Sequence, residues 1–133
     1  MKILLDTHVW IWSQEMPERL GPVARGAIAD EANELYVSAA STLEISRLLW
    51  GGRLALAGRP ATWVCSSLEA LLAETIPLTN EISMAAYDLS GEFHRDPIDR
   101  ILVATATVHD LTLATADERI LAYAHVLSLD AQS

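Results

Sequence analysis

The sequence predicts an α/β fold in which a central, mostly parallel β-sheet is flanked by α-helices. Short apolar runs alternate along the chain with longer segments whose apolar residues recur at helical spacing. Hydrophobic residues make up 51% of the chain and charged residues 20%, which supports a packed core and excludes a disordered or fibrous chain. A chain of 133 residues has the typical length of one domain, and no linker or repeat divides it, so we expect residues 1–133 to form a single domain.

The first three elements follow from where apolar runs begin and stop. Lys2 to Leu5 is a short apolar run ended by Asp6, which predicts a strand covered on both faces. Gly21-Pro22 opens a segment with apolar residues at helical spacing, followed by acids, and this predicts the first helix. Leu35 to Val37 is predicted as the second strand.

The middle of the chain is predicted to be mainly helical. Ser41-Thr42-Leu43-Glu44 has the S-x-x-E spacing of a capping box, so a helix is expected to begin at Ser41 and to end at Gly51-Gly52. Pro60 to Ala73 and Asn80 to Phe93 both carry apolar residues at intervals of about 3.6. Between them, Thr75 to Leu78 is predicted as a short strand or an extended turn.

The C-terminal third alternates between helix and strand. Asp96-Pro97-Ile98-Asp99 supplies an N-cap acid, a proline at the first helical position and an acid in the first turn, so a helix is expected to run through Val108. Leu111 to Thr115 is predicted as a buried strand. A short helix from Asp117 to Ala124 and a last strand from Val126 to Leu129 complete the chain.

Composition limits the classes of function. Nine Lys and Arg against eighteen Asp and Glu give a net charge of −9, which excludes a surface that is broadly basic toward nucleic acid, so any such contact is local. The single cysteine, Cys65, cannot form an internal disulfide and is expected to be a buried apolar residue. The longest stretch without Asp, Glu, Lys or Arg is too short to cross a bilayer, and we expect a soluble, cytoplasmic protein.

Four acids follow the predicted strands or open the predicted helices: Asp6, Glu44, Asp99 and Asp117. Each has an ordinary structural explanation as a turn, a capping-box arm, a favourable charge at a helix start or an N-cap. Asp96 is fully explained as an N-cap. Ligands bind at the carboxyl ends of parallel strands, so the four acids are expected to converge there, where a cation would relieve their repulsion.

The donor atoms indicate which cation this would be. A site of carboxylate oxygens, with no Cys or His required by the spacing, suits Mg²⁺ or Mn²⁺ better than Zn²⁺. These ions promote in-line attack of water on a phosphodiester, so the pattern predicts metal-dependent phosphodiester hydrolysis.

Other polar and aromatic residues in the same segments are weaker candidates. Thr7, Thr115 and Arg100 are candidates for substrate binding, although Arg100 is equally compatible with holding a neighbouring carboxylate. Packing and hydrogen bonding are the first explanations for His8 and His94. Trp10 and Trp12 are expected to be partly exposed and to contact a protein partner.

Four sequence blocks, in this order, resemble those of PIN-domain ribonucleases and, among these, of VapC-like toxins of type II toxin-antitoxin systems. The blocks cover nearly the whole chain: Leu4 to Trp10, Val37 to Ile45, His94 to Arg100 running into Ala104-Thr105-Ala106, and Leu113 to Asp117. The resemblance implies that Asp6, Glu44, Asp99 and Asp117 form an acidic pocket that binds Mg²⁺ or Mn²⁺. It also implies endonucleolytic cleavage of RNA, a homodimer, and inhibition by a cognate antitoxin. Four carboxylates in a chain of net charge −9 attract a cation, so we expect the antitoxin to place an Arg or Lys in the pocket.

Three other functions fit part of the pattern. A phosphoacceptor domain with a similar fold needs a lysine late in the chain, and the only lysine here is Lys2. A non-catalytic module would use the acids only as caps and as a docking site for a basic partner. A nuclease that cleaves DNA remains an alternative, because no residue is a recognisable reader of the RNA 2′-OH.

Overall fold

The computed structural model describes residues 1–133, and its strands form one all-parallel sheet. The five strands are β1 (Lys2–Leu5), β2 (Glu34–Ser38), β3 (Glu74–Ile76), β4 (Thr112–Thr115) and β5 (Ser128–Asp130). They are arranged in the order β3-β2-β1-β4-β5, so β1 is central and β2 and β4 flank it. The predicted α/β fold is confirmed.

Seven α-helices connect and cover the strands. They are α1 (Thr7–Glu15), α2 (Pro22–Ala29), α3 (Ala39–Trp50), α4 (Pro60–Leu71), α5 (Asn80–Ala85), α6 (Pro97–His109) and α7 (Glu118–Leu121), with a 3₁₀ turn at Pro17–Arg19. None of these helices is long and apolar enough to cross a membrane.

The sheet separates two hydrophobic cores. Alternate side chains of β1 point to opposite faces: Ile3 and Leu5 belong to one core and Leu4 to the other, and all three are fully buried. The first core is filled by residues of α1, α3 and α4, and the second mainly by residues of α5, α6 and α7. Burial on both faces explains why β1 is a continuous apolar run.

Helix α1 was not expected from the sequence pattern. Val9, Trp10, Ile11 and Trp12 are all buried and together span a full turn, so the middle of the helix has no polar face and its apolar residues show no helical period. Its start does carry a signal, because the Asp6 carboxylate accepts a hydrogen bond from the backbone N–H of Thr7 and caps the helix.

The predicted exposure of two tryptophans and burial of the cysteine are wrong. Trp10 is fully buried, packs on Trp63 at 5.4 Å between ring centroids, and donates its indole N–H to Ser67. Trp12 is 8% exposed. Cys65 lies on the exposed side of α4. Because both tryptophans are buried, neither offers the exposed surface that the predicted contact with a protein partner requires.

Two helix boundaries also differ from those predicted. Helix α3 begins at Ala39 and is capped by the Ser38 hydroxyl, which accepts from the backbone N–H of Ala40, so there is no capping box at Ser41. Helix α5 ends at Ala85 instead of reaching Phe93. The carbonyls of Ala86 and Phe93 accept hydrogen bonds from Arg100, which holds this segment in a loop.

Candidate metal centre

The predicted acids come from four places at one edge of the sheet. Asp6 directly follows β1, and its backbone N–H continues the ladder by donating to Ala114 of β4 at 2.9 Å. Asp117 caps α7 just after β4, Glu44 lies in the second turn of α3 after β2, and Asp99 lies in the first turn of α6. Because all strands are parallel, the carboxyl ends of β1, β2 and β4 meet at this edge.

Asp6 is the most deeply buried of the acids and is held by its neighbours. It is 3% exposed, and the Thr115 hydroxyl donates to its Oδ2 atom at 2.6 Å. Thr115 also accepts from the backbone N–H of Asp117 at 3.0 Å, so one buried hydroxyl fixes the side chain of one acid and the backbone of another. His8 Nδ1 lies 3.6 Å from Asp6 Oδ2, while His8 Nε2 accepts from the Ala116 N–H.

The side chain of Glu44 is free of the capping role that the sequence allowed. Ser41 is fully buried inside α3 and accepts from the Thr7 hydroxyl at 2.9 Å, so it pairs with α1 and not with Glu44. The nearest cation to Glu44 is Arg47, one turn along the same helix at 3.8 Å. Glu44 therefore keeps a carboxylate available at the acidic edge.

Three side chains form the closest group at this edge. One ligand atom from each of His94, Asp99 and Asp117 lies within 4.8 Å of the other two. Asp96 contributes structure instead, because its carboxylate caps α6 by accepting from the Asp99 N–H at 3.0 Å, as predicted. Asp6 and Glu44 lie outside the group of three, but their charges act on Asp99, as its pKa shows.

His94 faces Asp99 as a neutral donor. The backbone N–H of Asp96 donates to His94 Nδ1, so Nε2 carries the proton of the neutral ring. Burial and the nearby Arg119 both lower the pKa of His94, which favours this neutral form. Nε2 lies 3.1 Å from Asp99 Oδ2 but is not aligned with it, and this buried N–H has no hydrogen-bond acceptor in the protein.

The acids raise the pKa of Asp99. Burial is the largest cause, followed by repulsion from Asp6, Asp96, Asp117 and Glu44, and together they raise the pKa of Asp99 from 3.8 to about 7. The other site acid that is shifted moves the opposite way. Burial raises the pKa of Asp117, but hydrogen bonds from the side chain and backbone of Arg119 outweigh burial and lower it.

Arg119 is the cation that contacts both Asp99 and Asp117. Its guanidinium donates to both oxygens of Asp117, at 3.3 and 3.1 Å, and lies 3.9 Å from Asp99 Oδ2. The Arg119 side chain is 63% exposed, so water screens its charge and it neutralises the cluster only in part.

Arg100 lies next to the site but is occupied within the protein. Its guanidinium donates to the backbone carbonyls of His94, Ala86 and Phe93, each at 2.9 Å. These bonds hold the loop that carries His94. The structure thus gives Arg100 a contact other than the phosphate or carboxylate that the sequence suggested, and Thr7 and Thr115 are likewise buried in internal hydrogen bonds.

The donor set fits a divalent cation that prefers oxygen. Carboxylates dominate the edge, and the neutral His94 presents an N–H, which cannot bind a metal directly. The raised pKa of Asp99 and the unpaired His94 N–H show that the cluster has both excess negative charge and an unused donor. A bound divalent cation would offset the negative charge, and the cation's own oxygen ligands would accept a hydrogen bond from the His94 N–H.

His94 and Arg119 belong to this cluster, although the sequence pattern does not mark them as site residues. His94 reaches Asp99 only because the loop before α6 is folded around Arg100, and nothing in its spacing indicated that path. Arg119 lies two residues after Asp117, and this short separation is the feature of the sequence that indicates a contact between the two side chains.

The chain is similar to known proteins along nearly its whole length. The family described as PIN domain matches residues 3–126. The chain is 35% identical over 123 residues to a protein of Mycobacterium tuberculosis described as Ribonuclease VapC22, covering 92% of each chain.

Solved structures share the fold. The structure of DNA-bound VapBC from Salmonella typhimurium is similar with a TM-score of 0.67 and 15% identity, and covers 98% of each chain. That of FitAcB from Neisseria gonorrhoeae is similar with a TM-score of 0.64 and 25% identity, and covers 97% of each chain.

Proposed function

The chain belongs to the PIN domain family, and from this premise we propose that it is an endoribonuclease of the VapC type that acts as the toxin of a toxin-antitoxin pair. Its 35% identity to a ribonuclease over nearly the whole chain supports the ribonuclease assignment. The proposal treats residues 1–133 as one domain, since both cores pack on the same sheet.

The observation that carries the proposal is the concentration of acids around Asp99. Repulsion from Asp6, Asp96, Asp117 and Glu44 adds to burial in raising the pKa of Asp99 to about 7. The one cation within 4 Å of the Asp99 carboxylate, Arg119, has an exposed side chain. We propose that Asp6, Glu44, Asp99 and Asp117 hold a divalent cation, Mg²⁺ or Mn²⁺. When bound, such a cation acidifies the attacking water and offsets the charge that builds up on the phosphate.

The protein's own groups position this chemistry. The Asp6 carboxylate is held by Thr115, and Nε2 of His94 lies 3.1 Å from Oδ2 of Asp99 at the start of α6. In the hydrolysis, a water oxygen bonds to phosphorus, one P–O bond of the RNA backbone breaks, and a proton passes to the departing oxygen. Thr7, Thr115 and Arg100 contribute to substrate binding indirectly. Their hydrogen bonds to Ser41, Asp6 and the His94 carbonyl hold the segments that surround the site.

The partners follow from the assignment. We propose that a cognate antitoxin covers the acidic edge, because similar folds include VapBC structures from Salmonella typhimurium and Rickettsia felis. A basic side chain of the antitoxin is complementary to four carboxylates. We also propose a homodimer and a cytoplasmic location, where an RNA-cleaving toxin meets its substrate.

A pair of matched variants tests the nuclease assignment. Asp99→Asn removes a metal ligand but leaves a side chain of nearly the same shape, so RNA cleavage in Mg²⁺ should be abolished while the fold survives. Asp96→Asn keeps an N-cap three residues away and should retain most of the activity. Gel analysis of a structured RNA measures cleavage, and circular dichroism checks the fold. Equal loss of activity in both variants contradicts the assigned roles.

A further inference from the structure

A cavity adjoins the acidic edge. It has a volume of about 440 Å³, which lies in the range of small-ligand sites, and its lining includes Phe93, His94, Arg119, Tyr123 and His125. His94 and Arg119 line this cavity and also face Asp99. The cavity is thus continuous with the proposed site of cleavage.

Aromatic rings form one wall of this cavity. Ring centroids are separated by 4.4 Å between Phe93 and His94, by 5.0 Å between Phe93 and Tyr123, and by 5.4 Å between Tyr123 and His125. Phe93 is the only phenylalanine in the chain, and two of the four histidines are in this row. Aromatic residues are scarce in this protein, so their concentration beside the acids calls for an explanation.

Core packing explains only part of the row. Tyr123 is 9% exposed and donates its hydroxyl proton to the Ser90 carbonyl, so it is a buried ring on which Phe93 and His125 pack. Phe93 is half-buried, and His125 is exposed. The His125 ring packs against the turn at Gly91, which has a φ of +67°. A Cβ atom placed on Gly91 would lie 3.6 Å from His125 Nε2. His125 is therefore a held ring with a surface open to solvent.

We propose that this cavity binds a nucleobase of the RNA substrate, that of a nucleotide next to the phosphodiester that is cleaved. The inference rests on the proposed function. Phe93 and His125 supply ring surface for stacking, a contact that every base can make. Arg119, between the cavity and Asp117, is placed to meet the phosphate that links this nucleotide to its neighbour. A base held here fixes the backbone over the acids.

Nucleoside 5′-monophosphates test the inference without depending on cleavage, because they contain no phosphodiester bond. The full-length protein is titrated in Mg²⁺ with each of the four ribonucleotides and, separately, with ribose 5-phosphate, which lacks a base. We expect at least one nucleotide to bind about fivefold more tightly than ribose 5-phosphate. NMR signals of the Phe93 and His125 rings should shift with it.

Variants of His125 separate stacking from other effects. His125→Ala should remove most of the nucleotide's advantage over ribose 5-phosphate, and His125→Phe, which keeps a ring, should retain it. His109→Ala is the matched control, since His109 is exposed at the end of α6 and lines a different cavity. Equal binding of nucleotides and ribose 5-phosphate, or an unchanged advantage in His125→Ala, overturns the inference.

The two proposals can fail separately. If the wild-type protein cleaves RNA but gains nothing from a base, the cavity has no such role and the nuclease assignment stands. If nucleotides bind through their bases but RNA is not cleaved in Mg²⁺, the proposed function is wrong and the base site remains.

Discussion

Replacing Asp99 by Asn should stabilise the metal-free protein, although it removes a proposed metal ligand. Raising the pKa of Asp99 from 3.8 to about 7 means that the folded protein disfavours the ionised carboxylate. At about 1.4 kcal/mol per pKa unit this difference corresponds to slightly more than 4 kcal/mol, and solvent screening of the side chain, which is 15% exposed, reduces it to about 2 kcal/mol. The lost charge at the start of α6 costs about 0.3–1 kcal/mol, so the net effect is stabilising.

The sign of the pH dependence follows from proton binding. Between pH 4 and pH 7 the folded protein keeps the Asp99 proton that the unfolded chain has released, so the contribution of Asp99 to the free energy of unfolding falls as the pH rises. The Asn variant has no such group. The stability difference between them should therefore be near zero at pH 4 and reach about 1–2 kcal/mol at pH 8, where the lost helix-start charge offsets part of the gain.

Urea denaturation in EDTA at several pH values measures this difference. Glu69→Gln, an exposed position on α4, controls for the removal of one negative charge from a chain of net charge −9. Adding Mg²⁺ should stabilise the wild type and not Asp99→Asn. An Asn variant that is no more stable than wild type at pH 8 in EDTA refutes the electrostatic reasoning.

Two arginines near the site should behave in opposite ways. Arg100→Ala should lower the free energy of unfolding by about 2–3 kcal/mol, because three backbone carbonyls lose a charged donor. Arg100→Lys should restore only part of this stability. Urea denaturation measures both variants, and full rescue by Lys contradicts the role of Arg100 as a donor to three carbonyls. Arg119→Ala should instead tighten Mg²⁺ binding about twofold to fivefold at low ionic strength, because an exposed competing cation is removed from Asp117. Calorimetric titration measures this affinity, and weaker binding in the variant would show that Arg119 supports the ion.

The convergence of acids was predictable because it depends on topology. Asp6 and Asp117 come one and two residues after strands β1 and β4, and parallel strands that neighbour each other end at the same edge. Such short separations leave the chain little freedom to carry a side chain elsewhere. The periodicity of α6 and its Asp-Pro start were likewise local signals that the fold retains.

The parts that were missed depend on tertiary contacts. The middle turn of helix α1, Val9 to Trp12, is buried on every side, which erases the amphipathic pattern that marks a helix, and burial of Trp10 depends on Trp63 and Ser67 of α4. The place of His94 depends on Arg100, whose three bonds to carbonyls fold the preceding loop. No spacing within the sequence contains that information.

Cleavage of a circular RNA tests the central claim most directly. A circle has no ends, so only an endonuclease can open it, and a gel separates the circular and linear forms. We predict that the wild-type protein linearises circular single-stranded RNA in Mg²⁺ or Mn²⁺, that EDTA stops the reaction, and that Asp99→Asn does not cut. A matching circle of DNA tests the alternative substrate. An RNA circle that stays closed in Mg²⁺, or is opened equally in EDTA, contradicts a metal-dependent endoribonuclease.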